Sequence, residues 1–195
     1  SELAYYYGIA LVGVASYDEA LKEFSAILAD TDAGTELREA AKIQEIGCLM
    51  MLGKNDDVLT ATAAFVQAYP QSREISVVVG YQAQALAAKE QWQELAQTLK
   101  KSLGAGLVDD KHRYELSLLL KEAYVNLKLY AEAAAILREL AVQAETPMPA
   151  RCLIEAGMLE KQGGNIERAE ADFRQVLFRF PSQPEDITQA GMALG

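Results

Sequence analysis

The sequence predicts an all-α protein, a right-handed solenoid of antiparallel helix hairpins, and three observations carry that expectation. Alanine, leucine, glutamate and glutamine dominate the 195 residues, and the five prolines sit mainly between periodic segments, which is a helical bias. Apolar residues recur at offsets of three, four and seven, the period of one helix face. Equivalent small or apolar positions then return at Ala20, Val58, Leu95, Ala133 and Ala169, separated by 38, 37, 38 and 36 residues. A two-helix unit of that length cannot bury its apolar face alone, so successive units stack, each touching its neighbours.

The first unit spans residues 1–30. Gly8, Leu11, Tyr17, Ala20, Phe24 and Leu28 carry its pattern, and the small Gly8 and Ala20 let its two helices approach closely. Ser16 followed by Glu19 reads as a capping box at the start of the second helix. Thr31-Asp32-Ala33-Gly34 breaks the pattern, and Thr35 caps a new helix with Ile43, Ile46, Gly47 and Met50 at helical spacing. In this second unit, 35–70, the turn Gly53-Lys54-Asn55-Asp56 reads as one residue short, and Pro70 ends the partner helix that carries Val58, Leu59, Phe65 and Val66.

The third unit, 72–104, opens on Val77-Val78-Val79, which alone resembles a buried strand. Small and apolar residues continue through Ala83, Leu86 and Ala87, too far for a strand of about five or six residues, so a helix is expected. Trp92, the only tryptophan, starts the partner helix as a packing residue. Gly104-Ala105-Gly106 links to the fourth unit, 110–144, where Asp109 or Asp110 caps a helix carrying Leu116, Leu120 and Tyr124; its partner carries Tyr130, Ala133, Leu137 and Leu140. Thr146-Pro147 and Pro149 punctuate the boundary to the fifth unit, 147–181. Ser182 to Glu185 reads as a second capping box, and Ile187, Ala190-Gly191 and Leu194 form the first half of a sixth unit, 183–195. The sequence stops inside that unit, so a fragment of a longer protein is expected.

The fifth unit is the best preserved. Its Ala156-Gly157, Gly164, Ile166, Ala169, Phe173, Val176-Leu177 and Pro181 resemble the signature of the tetratricopeptide (TPR) repeat family, and the first unit matches it second best. The whole chain looks like about five such repeats and the first helix of a sixth. Two departures stand out: Thr62 occupies a place usually large, and Lys121 one usually small.

A formal net charge of -10 and a pI near 4.7 work against a nucleic-acid partner, because phosphate binding needs clustered Lys and Arg, and the densest basic run, Lys111-His112-Arg113, directly follows Asp109-Asp110. Such a surface serves solubility. Cys48 and Cys152 lack C-x-x-C spacing and read as buried thiols about three repeats apart, which with helices roughly 8–10 Å apart puts them beyond a mutual disulfide. Neither a signal peptide nor a run of about 20 apolar residues is read in these residues. His112 is the sole histidine, so Ser-His-Asp, Cys-His and multi-histidine metal sets lack parts; beside a helix start it reads as a surface residue. Gly163-Gly164 supplies a turn rather than a phosphate cradle, and Asp56-Asp57 and Asp109-Asp110, without calcium-loop spacing, read as helix caps. No catalytic residue, metal or cofactor is assigned.

The resemblance implies that the first helices of the hairpins line a concave groove for a protein or peptide. Carried over position by position, the groove set is Glu2, Tyr5, Ile9 and Val12, then Gln44, Cys48 and Met51, then Val77 and Gln84. The fourth and fifth units add Glu115, Leu118, Glu122, Val125 and Asn126, then Arg151, Ile154, Met158 and Lys161. Tyr5, Met51, Arg151 and Met158 lead this set, because Tyr, Met and Arg are enriched in interface cores. The clamp of chaperone-binding TPR proteins is not matched, since Tyr5 and Ile9 stand at its first places. Phe65-x-x-x-Tyr69-Pro70-x-Ser72 and Phe178-x-Phe180-Pro181-Ser182 resemble the junctions of bacterial envelope TPR proteins, which inclines the setting to the periplasm or cell envelope, with the cytoplasm as the alternative. The expected function is a non-enzymatic protein–protein interaction scaffold. The alternatives are the recognition arm of an enzyme whose catalytic domain lies elsewhere, and self-association through the first helix or the unfinished sixth unit.

Overall fold

The computed structural model describes residues 1–143, 148–181 and 184–194, so the Thr146-Pro147 boundary and the Ser182 capping box lie outside the described residues. Among the described residues the regular elements are α-helices: α1 (Glu2–Gly13), α2 (Tyr17–Ala29), α3 (Thr35–Met51), α4 (Asn55–Ala68), α5 (Ile75–Ala88), α6 (Trp92–Gly104), α7 (Asp110–Asn126), α8 (Tyr130–Gln143), α9 (Met148–Gln162), α10 (Ile166–Arg179) and α11 (Pro184–Leu194). The valine run at 77–79 is helical, inside α5. The chain divides into two compact units, Ser1–Gln91 with Lys101–His112, and Trp92–Lys100 with Arg113–Gly195.

One backbone device closes every hairpin. A residue with positive φ follows the first helix in each: Ala15 (59°), Gly53 (69°), Glu90 (56°), Lys128 (59°) and Gly164 (84°). Its N–H donates to the carbonyl three residues back, at 2.9–3.1 Å, and the next N–H donates five residues back, as from Ser16 to Leu11 and from Asn165 to Glu160, at 2.8–3.0 Å. This is the Schellman arrangement, which satisfies the last carbonyls of the helix and reverses the chain. The second turn is therefore complete: Gly53 and Lys54 make the same two bonds as the other four pairs, and the expected one-residue shortfall is not there.

The same geometry removes the Ser16 capping box. Ser16 is the N-cap of α2 but makes no side-chain cap bond, because it leaves the left-handed residue at φ -83° and ψ 61°, away from the extended conformation from which a serine hydroxyl reaches the helix N–H groups. Thr35 is the first helical residue of α3, with Gly34 as the cap. Asp109 does act as a cap: its carboxylate accepts the His112 N–H at 2.9 Å and meets the His112 ring nitrogen Nδ1 at 2.7 Å. These bonds, the backbone one first, hold the Asp109 carboxyl below its ordinary value of 3.8.

Within each unit the hairpins pack through small-to-large contacts. A Cβ added at Gly8 would stand 2.7 Å from Cε1 of Phe24, and one at Gly157 would stand 2.6 Å from Cε1 of Phe173. Both rings are fully buried, so the glycines are where the first helix yields to the second. In the first unit Leu11, Ala20, Phe24, Ile27, Ala33, Ala41 and Cys48 form one core, joining α1, α2 and α3. In the second unit a larger core runs from Ala133 through Leu153 and Phe173 to Ala190, joining α8 to α11. Thr62, small for its place, is fully buried and returns its hydroxyl to the Leu59 carbonyl at 3.0 Å. Lys121, large for its place, is half-buried and reaches Glu155 at 2.7 Å.

These contacts and turns set the response to substitution. Gly157→Ala gains about 1 kcal/mol of helix propensity but overpacks a close-packed ring at a cost of about 1–3 kcal/mol, so urea unfolding is expected to show a net loss, and Phe173→Leu in the same chain to give less than the sum of the two single losses. Lys128→Gly, at an exposed left-handed residue, is expected to raise the unfolding free energy by about 0.5–1 kcal/mol, since a side chain there costs about 1–2 kcal/mol and glycine returns part of that as chain entropy.

Candidate functional site

Counting back from the left-handed residue puts the first helices into one register. Places 12 and 5 before it are buried in α3 (Ala41, Cys48), α5 (Val78, Ala85), α7 (Leu116, Ala123) and α9 (Cys152, Leu159). In α1 and α9 the place 7 before it holds Gly8 and Gly157, which face the hairpin's own second helix. Places 13, 9, 6 and 2 before it lie on the remaining face, at helical spacing. They hold Glu2, Tyr6, Ile9 and Gly13 in α1; Ala40, Gln44, Gly47 and Met51 in α3; Val77, Tyr81, Gln84 and Ala88 in α5. In α7 they hold Glu115, Leu119, Glu122 and Asn126, and in α9 Arg151, Glu155, Met158 and Gln162. None of these twenty side chains or glycines is buried.

Most of the residues expected on the groove fall on or beside this stripe. Met51 and Met158 are 63% and 42% exposed, and Gln84, Glu122, Asn126, Arg151, Glu2 and Glu115 are exposed as well. Gln44, Ile9 and Val77 are half-buried on the stripe, while Tyr5, Val12, Leu118 and Val125 are half-buried beside it. Tyr5 sets its ring edge against Phe24 at 5.9 Å and Tyr6 at 5.8 Å. Asn126 turns its amide back to the Glu122 carbonyl at 3.0 Å, and Lys161, exposed, spans to the Ala193 carbonyl of α11 at 3.2 Å. Two expected contact residues are not on the surface. Ile154 is 3% exposed and sits in the core of the second unit, because it lies ten places before Gly164, rotated off the stripe. Cys48 is buried in the core of the first unit; the supposed short turn shifted the α3 register by one, and Gly47 holds the place assigned to it.

Nine stripe residues escaped the sequence reading of the groove: Tyr6, Gly13, Ala40, Gly47, Tyr81, Ala88, Leu119, Glu155 and Gln162. Tyr81 crosses from α5 toward α3, with its hydroxyl 3.3 Å from where a Gly47 Cβ would stand, and burial, then the nearby Cys48, pushes its phenol pKa up. The signal that locates them is the count from the turn, once the left-handed residue is known.

A buried ionic cluster was also missed. Arg138 of α8 donates to both oxygens of Asp172 in α10, at 2.9 and 2.7 Å, and to Glu160 of α9 at 2.8 Å. Asn165 donates to the other Glu160 oxygen at 2.8 Å, and Arg168 stands 3.9 Å away. Glu160 is 0% and Asp172 5% exposed beneath a partly exposed Arg138, so the cluster ties three helices of the second unit together. The bonds to Asp172 above all, with those to Glu160, hold Arg138 still more firmly protonated, against burial that disfavours the cation. The thiols of Cys48 and Cys152 are free and buried, with desolvation pushing both pKa values up, which keeps them unreactive. Among the described residues no group of three or more His, Cys, Asp or Glu is placed to hold a metal, and no helix is long and apolar enough to cross a membrane.

Solved structures match this arrangement over nearly its full length. MamA from Desulfovibrio magneticus RS-1, from residue 41 to its end, superposes with a TM-score of 0.66 at 15% identity, covering 93% of this chain and 96% of that one. The nearly identical TPR-like repeats of a putative kinesin light chain from Podosopora anserina give 0.63 at 17% identity over 90% and 92% of the two chains. This is the TPR-like fold. A thermophilic TPR protein of Thermus thermophilus shares it more loosely, at 0.50 and 18% identity over 99% and 98%. No protein-family model and no curated protein sequence matches the chain. At these identities the likeness establishes the all-α helical-repeat solenoid and nothing finer.

Removing Arg138 leaves two buried carboxylates without their counter-ion. Arg138→Met is expected to lower the unfolding free energy by about 3–5 kcal/mol, read from the denaturant midpoint, whereas the exposed pair partner change Arg174→Ala shifts it by less than about 1 kcal/mol.

Proposed function

We propose that the protein is a non-catalytic adaptor that holds a protein partner along the exposed face of its first helices. The observation that carries this reading is the stripe itself. The helices α3, α5, α7 and α9 use two faces for packing and leave the third open to solvent, as α1 also leaves its corresponding face, with Tyr6, Met51, Arg151 and Met158 on it. Tyrosine, methionine and arginine supply large contact area and directional hydrogen bonds, and methionine adapts its shape to an irregular partner. The TPR-like fold supports the same reading, because the solved structures it matches are repeat proteins of this architecture. The Tyr69-Pro70 and Phe180-Pro181 junctions favour cell-envelope complex assembly as the setting. The single chain is read as one continuous repeat array with hairpins near 1–30, 35–70, 72–104, 110–144 and 147–181.

Site-directed crosslinking tests the face. A photo-crosslinking side chain placed at Met51 or Met158 is expected to trap a discrete protein adduct in the cells that make this protein, and one placed at Phe178, exposed on the second helix α10, is not. Adducts from Phe178 alone would move the interaction to the opposite helices. Fractionation of the same cells checks the setting: recovery with cytoplasmic markers removes the envelope.

A further inference from the structure

We infer that the partner segment held by α1, α3 and α5 is uncharged, built of apolar and amide side chains; this rests on the face assignment made above and adds the chemistry of its occupant. Charged residues make up 24% of the chain, yet the stripe across these three helices carries a single one, Glu2 at its outer end. The equivalent places in α7 and α9 hold Glu115, Glu122, Arg151 and Glu155. The helices α1 and α3, and α3 and α5, are in direct contact, so the uncharged places form one continuous surface within the first unit.

What that surface offers is specific. Gln44 and Gln84 each present a donor and an acceptor, which can pair a partner's backbone or an amide side chain in either sense. Tyr6 and Tyr81 offer ring faces and hydroxyls, and the Tyr81 phenol is kept protonated by its burial. Gly47 carries no side chain, and the Tyr81 hydroxyl fills the space beside it, 3.3 Å from where its Cβ would stand, which seats the Tyr81 ring against α3. Away from Glu2 and from the outer end of α3 and α5, where Glu36, Glu39, Arg73 and Glu74 line a hollow with Ala40, a Lys, Arg, Asp or Glu pressed onto this surface would lose hydration and find no counter-charge on the stripe, while an amide or apolar group loses little and is paired or packed. The absence of charge thus acts as a filter by repelling the wrong partner as well as accepting the right one.

Panning a phage-displayed library of random 12-residue peptides on the full 195-residue chain tests this. The enriched peptides are expected to carry on average fewer than about one charged residue each, and their recovery to fall about 10-fold or more on Met51→Glu and on Gln84→Glu, while Phe178→Glu, exposed on α10 away from the stripe, leaves it unchanged. Met51 and Gln84 are exposed, and thermal melts of both variants confirm that the fold is intact before panning. Enrichment of acidic or basic peptides overturns the uncharged occupant and keeps the groove. Absence of enrichment, or recovery indifferent to Met51→Glu and Gln84→Glu or lost on Phe178→Glu, overturns the groove reading as well.

Discussion

The left-handed residue between the helices of each hairpin is the constraint on which the rest of the structure depends. It uses only backbone groups: one N–H returns three residues and the next returns five, and the helix that follows starts from a fixed direction. Five residues after it stands Ala20, Val58, Leu95, Ala133 or Ala169, each essentially without exposed surface. Because side chains take no part, the turn accepts Ala-Ser-Tyr, Gly-Lys-Asn, Glu-Gln-Trp, Lys-Leu-Tyr and Gly-Asn-Ile in turn. The steric strain at Ala15, Glu90 and Lys128 is carried by the packing on either side, since the helices they join are buried along one edge.

That independence from side chains also explains what was readable before the structure and what was not. The repeat length was legible, because the buried small or apolar residue after each turn recurs in the sequence at the same intervals as the left-handed residues themselves. Gly8 and Gly157 were legible as close-contact positions, since their opposing Phe24 and Phe173 repeat with them. The register of α3 was not, because a turn defined by backbone bonds leaves no residue signature, and a one-place error carried Cys48 onto the surface and Gly47 off it. The Arg138 cluster was invisible for another reason. Its partners are 22 and 34 residues away, at the distance of neighbouring helices, where no local pattern marks an ion pair.

The two units use polarity in opposite ways. The first is tied between hairpins by exposed pairs, Lys54 with Asp18 and Lys89 with Asp56, which contribute little in water, and so rests on its apolar core. The second buries Glu160 and Asp172 around Arg138, where the low dielectric makes an unpaired alternative severely unfavourable and so fixes the relative placement of α8, α9 and α10. The stripe of the first unit carries Glu2 alone as a charge, whereas the second unit holds charge both in its interior and on its stripe, at Glu115, Glu122, Arg151 and Glu155.

The turn device also sets how such a chain can diverge. A substitution on the stripe leaves every packed position untouched, whereas a residue inserted into or lost from a first helix rotates its outer half by about 100°, exchanging a solvent row for a core row. Length between turns is therefore guarded while identity is free to drift. Superposition over at least nine-tenths of two chains at 15% and 17% identity is what that asymmetry produces. The architecture is written in its intervals, and the exposed stripe is free to vary between them.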